Sequence, residues 1–167
     1  MLLTLASCGE KKNKQDAVNT RQELEQAKEQ TADIADASFS DGMIGKVFHN
    51  YQQIRMALVN SNSDEVQRAA RNLAESISEE SEGMKSMAVA VADATDIEKQ
   101  RELFSKFTTD IEPMLRETLT EGTIYKQFCP MAFEGKGGYW MSNVEEIQNP
   151  YYGKKMLKCG KVVEEIK

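Results

Sequence analysis

The chain has 167 residues, of which 40% are hydrophobic and 29% charged, so one folded domain with an additional arm is expected. Its net charge is -6, and the acidic groups are concentrated in residues 1–122, which carry 14 basic against 22 acidic groups. Such a surface repels phosphate backbones, and the chain is therefore not expected to bind nucleic acid.

The first residues are apolar and uncharged and lead directly to Cys8-Gly9. Leu5-Ala6-Ser7-Cys8 is similar to the lipobox of bacterial lipoproteins, in which small residues precede a cysteine that becomes acylated. We interpret residues 1–7 as a truncated lipoprotein signal peptide, since the seven residues lack a basic start. Cys8 is then the lipidated residue, and the expected location is the cell envelope: lipid-anchored, at the outer membrane, facing either the periplasm or the surface. A disordered apolar start with a chance cysteine is the alternative.

Residues 8–39 contain the lipidated cysteine and then a polar stretch with few apolar side chains. Its composition predicts a solvated tether that spans roughly 100 Å when fully extended. Acyl chains would be the membrane anchor, because no later stretch approaches the ~20 apolar residues of a spanning helix.

Helical spacing of apolar residues begins at residue 40 and predicts up to four helices within residues 40–122. Asn60 to Ser63 should end the first helix, with Ser61 or Ser63 capping the second. Residues 78–83 should separate the second helix from the third, Thr95 and Glu98 should form a capping box for a helix from Asp96, and Gly122 should end that helix. Pro113 should kink the fourth helix or split its last turn. The predicted apolar faces are Ile44, Val47, Phe48, Tyr51, Ile54 and Leu58; Val66, Ala69, Ala70, Leu73 and Ile77; Met84, Met87, Ala88 and Val91; and Ile97, Leu103, Phe104, Phe107, Ile111, Met114 and Leu115.

Residues 123–167 have a different composition, with five of the ten glycines, four of the five tyrosines and the one tryptophan. The glycines at 135, 137 and 138 predict a tight turn, Tyr139-Trp140-Met141 a short strand, and Lys161–Ile166 a strand or a terminal helical turn. We expect the aromatic residues Tyr125, Phe128, Tyr139, Trp140, Tyr151 and Tyr152 to form the core of this segment. The predicted fold is mainly α: an up-down bundle of three to four helices with a C-terminal glycine- and aromatic-rich module, irregular or short-β, packed on it.

Four blocks of this segment carry a family resemblance: Tyr125-Lys-Gln-Phe-Cys-Pro-Met-Ala132, Gly138-Tyr-Trp-Met-Ser142, Ile147-Gln-Asn-Pro-Tyr-Tyr-Gly153 and Met156-Leu-Lys-Cys-Gly160. Together with Tyr51, Ala57-Leu58-Val59 and Gln100-Arg101 with Phe104, they resemble the DUF3347 domain of bacterial envelope proteins, over residues 40–167. That domain occurs in lipoproteins and fused to adaptor subunits of CusB-like heavy-metal efflux systems. The resemblance implies a copper- or silver-related role, with efflux components as partners. Met141 stands where the family more often has leucine, which makes it a poor ligand candidate.

Sulfur-containing side chains are the candidates for chemistry. Once Cys8 is acylated, Cys129 and Cys159 remain, and each has a methionine nearby, Met131 and Met156. Soft sulfur ligands suit Cu(I) or Ag(I), whereas zinc would require more Cys or His ligands than the chain offers. His49 is a further candidate if the first helix faces this segment.

Three alternatives stay open for the two late cysteines: a metal site, a Cys129–Cys159 disulfide that staples a structural or protein-interaction module without metal, or a redox-dependent mixture. Met131 and Met156 are also interpretable as core-filling residues. An enzyme is not expected. The chain has no Cys-x-x-Cys motif and a single histidine, and Gly135-Lys136-Gly137-Gly138 lacks the context of a phosphate loop.

Overall fold

The computed structural model describes residues 37–167, which lie in one compact unit. The predicted signal peptide, the acylated Cys8 and nearly all of the tether lie outside the described residues. Within residues 37–167 the helices longer than one turn are α1 (Gly42–Val59), α2 (Ser63–Ser76), α3 (Glu82–Asp93) and α4 (Ile97–Thr118). The strands of the same region are β1 (Ser38–Phe39), β2 (Leu119–Glu121), β3 (Ile124–Cys129), β4 (Gly138–Ser142) and β5 (Lys161–Ile166). Short 3-10 turns occur at Glu79–Ser81 and Gly153–Met156, and a single helical turn at Ala132–Gly135.

The four helices form the predicted bundle, in which each helix packs on its neighbour in sequence and α1 also packs on α4. The predicted apolar faces supply its core, and the most deeply buried side chains include Tyr51, Leu58, Leu73, Phe104 and Leu115. Met114 is an exception, since it is 38% exposed on α4. None of the helices of residues 37–167 is long and apolar enough to cross a membrane.

The residues that cap the second and the fourth helix differ from the prediction. Asn62, and not Ser61 or Ser63, caps α2, because its side chain accepts a hydrogen bond from the Glu65 amide. Asp96 caps α4 in place of Thr95 by accepting from the Lys99 amide at 2.9 Å. Both corrections have the same physical basis: short amide and carboxylate side chains reach the free amides of a first helical turn.

The end of α4 also differs from the prediction. The helix continues through Pro113 without being split and ends at Thr118. Gly122 therefore does not end it. It lies in the connection between β2 and β3 with a positive φ of 88°, a conformation that favours glycine.

The C-terminal segment is a three-stranded antiparallel sheet of order β4-β3-β5, with Gln127 opposite Trp140 and Phe128 opposite Lys161. The predicted strands at Trp140 and at Lys161–Ile166 are confirmed, but the central strand β3 was not predicted. A second, two-stranded sheet, also unpredicted, pairs β1, which precedes the four helices in the chain, with β2, which follows them. Tyr139 is 45% exposed, so its assignment to the core was wrong, whereas Trp140 and Tyr151 are buried.

Buried polar contacts attach this sheet to the bundle. The Met141 amide donates to the Tyr51 hydroxyl at 3.0 Å, and the Gln52 amide donates to the Met141 carbonyl at 3.2 Å. Arg101 of α4 donates to the carbonyl of Pro150 at 3.0 Å. The sheet and the bundle therefore share one interface, as predicted.

Candidate functional site

Cys129 is the last residue of the central strand β3, and its side chain is fully buried. Ile124-Tyr-Lys-Gln-Phe-Cys129 is rich in β-branched and aromatic residues, which favour strands. Cys129 pairs with Gly138 of β4, where an added Cβ would lie 2.6 Å from the Tyr151 ring. Only glycine at this position allows the Tyr151 ring to pack so close to β4. This packing fixes the end of the β3–β4 pair that carries Cys129.

Cys159 lies in the turn before β5 and is half-buried. Its carbonyl accepts a hydrogen bond from the Asn149 side chain at 2.8 Å, and its amide donates to the Met156 carbonyl at 3.0 Å. The next residue, Gly160, lies so close to Trp140 that a Cβ would be 2.9 Å from the ring. The side-chain amide of Asn149 therefore positions the cysteine, a role that the sequence did not indicate.

These two segments bring the cysteine sulfurs to 3.3 Å from each other. A disulfide bond is about 2.05 Å long, so the two residues are free thiols in direct contact. The metal site and the disulfide both require such an approach of the two thiols, and the contact leaves both alternatives open. The hydrogen bond with Cys129 raises the pKa of the Cys159 thiol, and burial adds to the shift. Because a metal binds the thiolate, metal binding at this pair would release protons.

Met131 and Met156 lie on the surface segments that flank the thiol pair. Their side chains are 53% and 36% exposed, so the interpretation as core-filling residues is wrong. The Met131 carbonyl accepts from the Tyr152 hydroxyl at 2.6 Å, and Met156 ends the 3-10 turn that precedes Cys159. The backbone of both residues is therefore anchored, and both thioethers have access to solvent. Met141, by contrast, is fully buried.

His49 does not join the thiol pair. It is exposed on α1, and across residues 37–167 no three His, Cys, Asp or Glu side chains are grouped as a metal site would require. Tyr51, two residues after His49 on α1, contacts Met141. Met141 lies three residues, roughly 10 Å, along β4 from Gly138, the residue that pairs with Cys129. His49 is therefore not placed to bind a metal with the two thiols, contrary to the expectation. The helix α1 does pack on the sheet, but at the end of β4 that is away from Cys129.

A cleft of about 340 Å³ lies between α4 and the segment that follows Cys129. Phe133, Tyr151 and Tyr152 supply its aromatic wall, and Glu98, Glu102, Glu134 and Lys136 its charged rim. Phe133 and Glu134 both have positive φ, 53° and 59°, which few non-glycine residues adopt. The sequence offered no signal for this cleft, because nothing local marks these two residues as left-handed.

Fold and site together define a class: a small antiparallel helical bundle with a cysteine-bearing three-stranded sheet packed on it. A family model described as a protein of unknown function, DUF3347, matches residues 47–122. The match confirms the predicted family, and residues 47–122 belong to DUF3347. This range covers the bundle from α1 to the turn after β2, so the resemblance of the four C-terminal blocks stays a prediction. No curated protein and no solved structure matches the chain significantly.

Proposed function

We propose that this chain is a cell-envelope lipoprotein whose Cys129–Cys159 pair binds a soft metal ion, Cu(I) or Ag(I), in metal homeostasis linked to heavy-metal efflux. The observation that carries the metal role is the 3.3 Å contact between two free thiols. One of them, Cys159, is half-buried and therefore accessible to a metal ion from solvent. Exposed thioethers on both flanking segments add soft donors of the kind that suit these ions.

Copper titration tests the metal role. In a Cys8→Ser background, so that the pair supplies the free thiols, the reduced full chain should take up one Cu(I) in competition with a chromophoric chelator. Cys129→Ser and Cys159→Ser should each abolish this uptake, and affinity should rise with pH, since thiol protons compete with the metal. His49→Ala is the matched control and should leave the affinity unchanged. Uptake that persists in both serine variants would disprove the site.

A disulfide-stapled interaction module without metal is the second candidate. It is favoured by the complete burial of Cys129, and no third ligand from His, Cys, Asp or Glu is grouped with the pair among residues 37–167. Closing a loop of this length should stabilise the oxidised chain by about 3–4 kcal/mol on the chain-entropy estimate. Urea unfolding with and without reductant measures the difference. A large difference in aerobically purified protein, together with no copper uptake after reduction, would favour the staple.

The envelope assignment rests on the sequence Leu5-Ala6-Ser7-Cys8 and on the family resemblance. Because residues 1–7 lack the basic start of a signal peptide, the chain is expressed in a bacterial host behind a complete lipoprotein signal peptide that keeps Leu5-Ala6-Ser7-Cys8. A labelled fatty acid should then mark the chain and place it in the membrane fraction. Cys8→Ser should remove the label and release the protein. Labelling that survives this substitution would show that Cys8 is not the acylated residue.

A further inference from the structure

The spacing of the two sulfurs restricts the geometry of any centre that bridges them. With metal–sulfur bonds of about 2.3 Å, the sulfurs lie about 4.6 Å apart in a linear centre, about 4.0 Å apart at 120° and about 3.3 Å apart at a right angle. The observed separation is 3.3 Å. The pair as it stands therefore matches a bent centre, whereas linear Cu(I) requires the sulfurs to move apart.

The surroundings of the pair restrict the number of protein ligands. Over residues 37–167 no third cysteine, histidine or carboxylate is grouped with the two thiols. A centre that forms three bonds must therefore take its third from a thioether of the flanking segments or bring its third substituent with it. Trivalent arsenic bonded to one organic group meets both conditions: its lone pair holds its bonds close to right angles, and two of its three bonds are available to sulfur.

We propose that the reduced Cys129–Cys159 pair is a binding site for monosubstituted trivalent arsenicals, which it holds through two arsenic–sulfur bonds. This inference rests on the proposed role of the pair as an open thiol site and names the ligand class that its spacing fits. In the reaction, an arsenical R–As=O and the two thiols give R–As(S)₂ and one water. The two thiol protons leave with the oxygen, and no atom changes its oxidation state.

The route to the pair is from the side of Cys159. Cys129 is fully buried, whereas Cys159 is half-buried and the nearby Met156 is 36% exposed. The first arsenic–sulfur bond should therefore form at Cys159. Ring closure on Cys129 follows without a large rearrangement, because the second sulfur is already in contact with the first.

Intact-mass spectrometry of the reduced full chain in the Cys8→Ser background tests the proposal with phenylarsine oxide. One phenylarsenic group should be added per chain, with loss of both titratable thiols and recovery of both on treatment with a small dithiol. Cys129→Ser and Cys159→Ser should lose the adduct on desalting, while Met114→Leu, a control at an exposed methionine of α4 with no part in the site, should retain it. Far-UV circular dichroism shows whether each variant is folded.

Three results separate this inference from the proposed function. An adduct that remains in a folded single-cysteine variant, or thiols that stay titratable with the arsenical, would overturn the arsenical site even if Cu(I) binds. An adduct without Cu(I) uptake supports the arsenical site and removes the copper role. If neither reagent binds and both thiols also resist a maleimide, the pair is closed in the reduced protein and both proposals are wrong.

Discussion

Single buried side chains hold the sheet against the bundle, and Tyr51 is the clearest case. Thr108 donates to the Phe104 carbonyl at 2.9 Å, so the Tyr51 hydroxyl donates to the Thr108 oxygen at 2.8 Å. The same hydroxyl accepts from the Met141 amide. Burial raises the pKa of Tyr51 far above its ordinary value, so the hydroxyl stays protonated. One phenol group therefore joins α1, α4 and β4.

Replacing Tyr51 with phenylalanine should lower the free energy of unfolding by about 1–3 kcal/mol, because the buried Met141 amide loses its acceptor. Urea unfolding followed by circular dichroism measures this loss. Tyr139→Phe is the control: its side chain is 45% exposed, and its stability should change by less than about 0.5 kcal/mol. Equal effects of the two substitutions would contradict the role of the Tyr51 hydroxyl.

Two glycines should respond in opposite directions to replacement by alanine. At Gly153, which has a φ of 56°, a Cβ would lie 2.7 Å from the Val59 carbonyl at the end of α1. Alanine there should cost about 1–2 kcal/mol for the left-handed backbone alone, with the overlap adding to it. At Gly83 in α3 an added Cβ would meet no atom within 4 Å beyond the helix's own backbone and the adjacent residues, and alanine should stabilise the helix by up to about 1 kcal/mol. Thermal melts of both variants measure these changes in stability. Destabilisation by Gly83→Ala would show that the space around Gly83 is not open.

Between elements, a charged network joins α4 to two strands of the sheet. Glu112 accepts from Lys126 of β3 at 2.7 Å and from Arg116 at 2.6 Å, and Arg116 also contacts Glu164 of β5 at 2.6 Å. Burial pushes the pKa of Glu112 up, but the hydrogen bonds from Lys126 and Arg116 outweigh it and lower the pKa. The hydrogen bond from Arg116 lowers the pKa of Glu164. The network thus fixes α4 against the face of the sheet that carries Lys126.

Stability should fall in acid because of this network. A carboxyl whose folded pKa is lowered stabilises the protein above its unfolded pKa, about 4.3 for glutamate, and this contribution is lost as pH falls through the folded value. Glu112→Gln should therefore unfold more readily at pH 7 and show a weaker loss of stability below about pH 4. Glu75→Gln, exposed on α2, should keep the parent pH profile. Urea midpoints between pH 2 and pH 7 measure both; an unchanged profile in Glu112→Gln would contradict the assignment.

At the scale of the whole described domain, bundle and sheet should unfold as one unit. The one tryptophan, Trp140, is buried in the sheet, whereas most of the helical signal comes from the bundle. Tryptophan fluorescence and far-UV circular dichroism should therefore report the same urea midpoint, since the contacts of Tyr51, Gln52 and Arg101 couple the two parts. A fluorescence transition at lower urea would show that the sheet detaches first. Gly153→Ala, which disturbs the docking of the C-terminal segment on α1, should separate the two midpoints.

The sequence by itself determined the helical bundle and most of its core. Helical periodicity is a property of neighbouring residues, and a stripe such as Val47, Tyr51 and Leu58 has to be buried wherever the helix packs. The family could be predicted as well, although the blocks that carried the resemblance most strongly lie after the matched range.

Tertiary structure decided the rest, because those features depend on residues far apart in the chain. The β1–β2 pair joins Ser38 to Glu121. The strand β3 is central only because β4 and β5 pair with it on its two sides. The exposure of Met131 and the distance of His49 from the thiols follow from the same docking. Cys129 and Cys159 are thirty residues apart in the chain, and the 3.3 Å between their sulfurs is set by strand pairing and by Asn149. Sequence periodicity does not encode such a distance, because it arises from packing between separate segments.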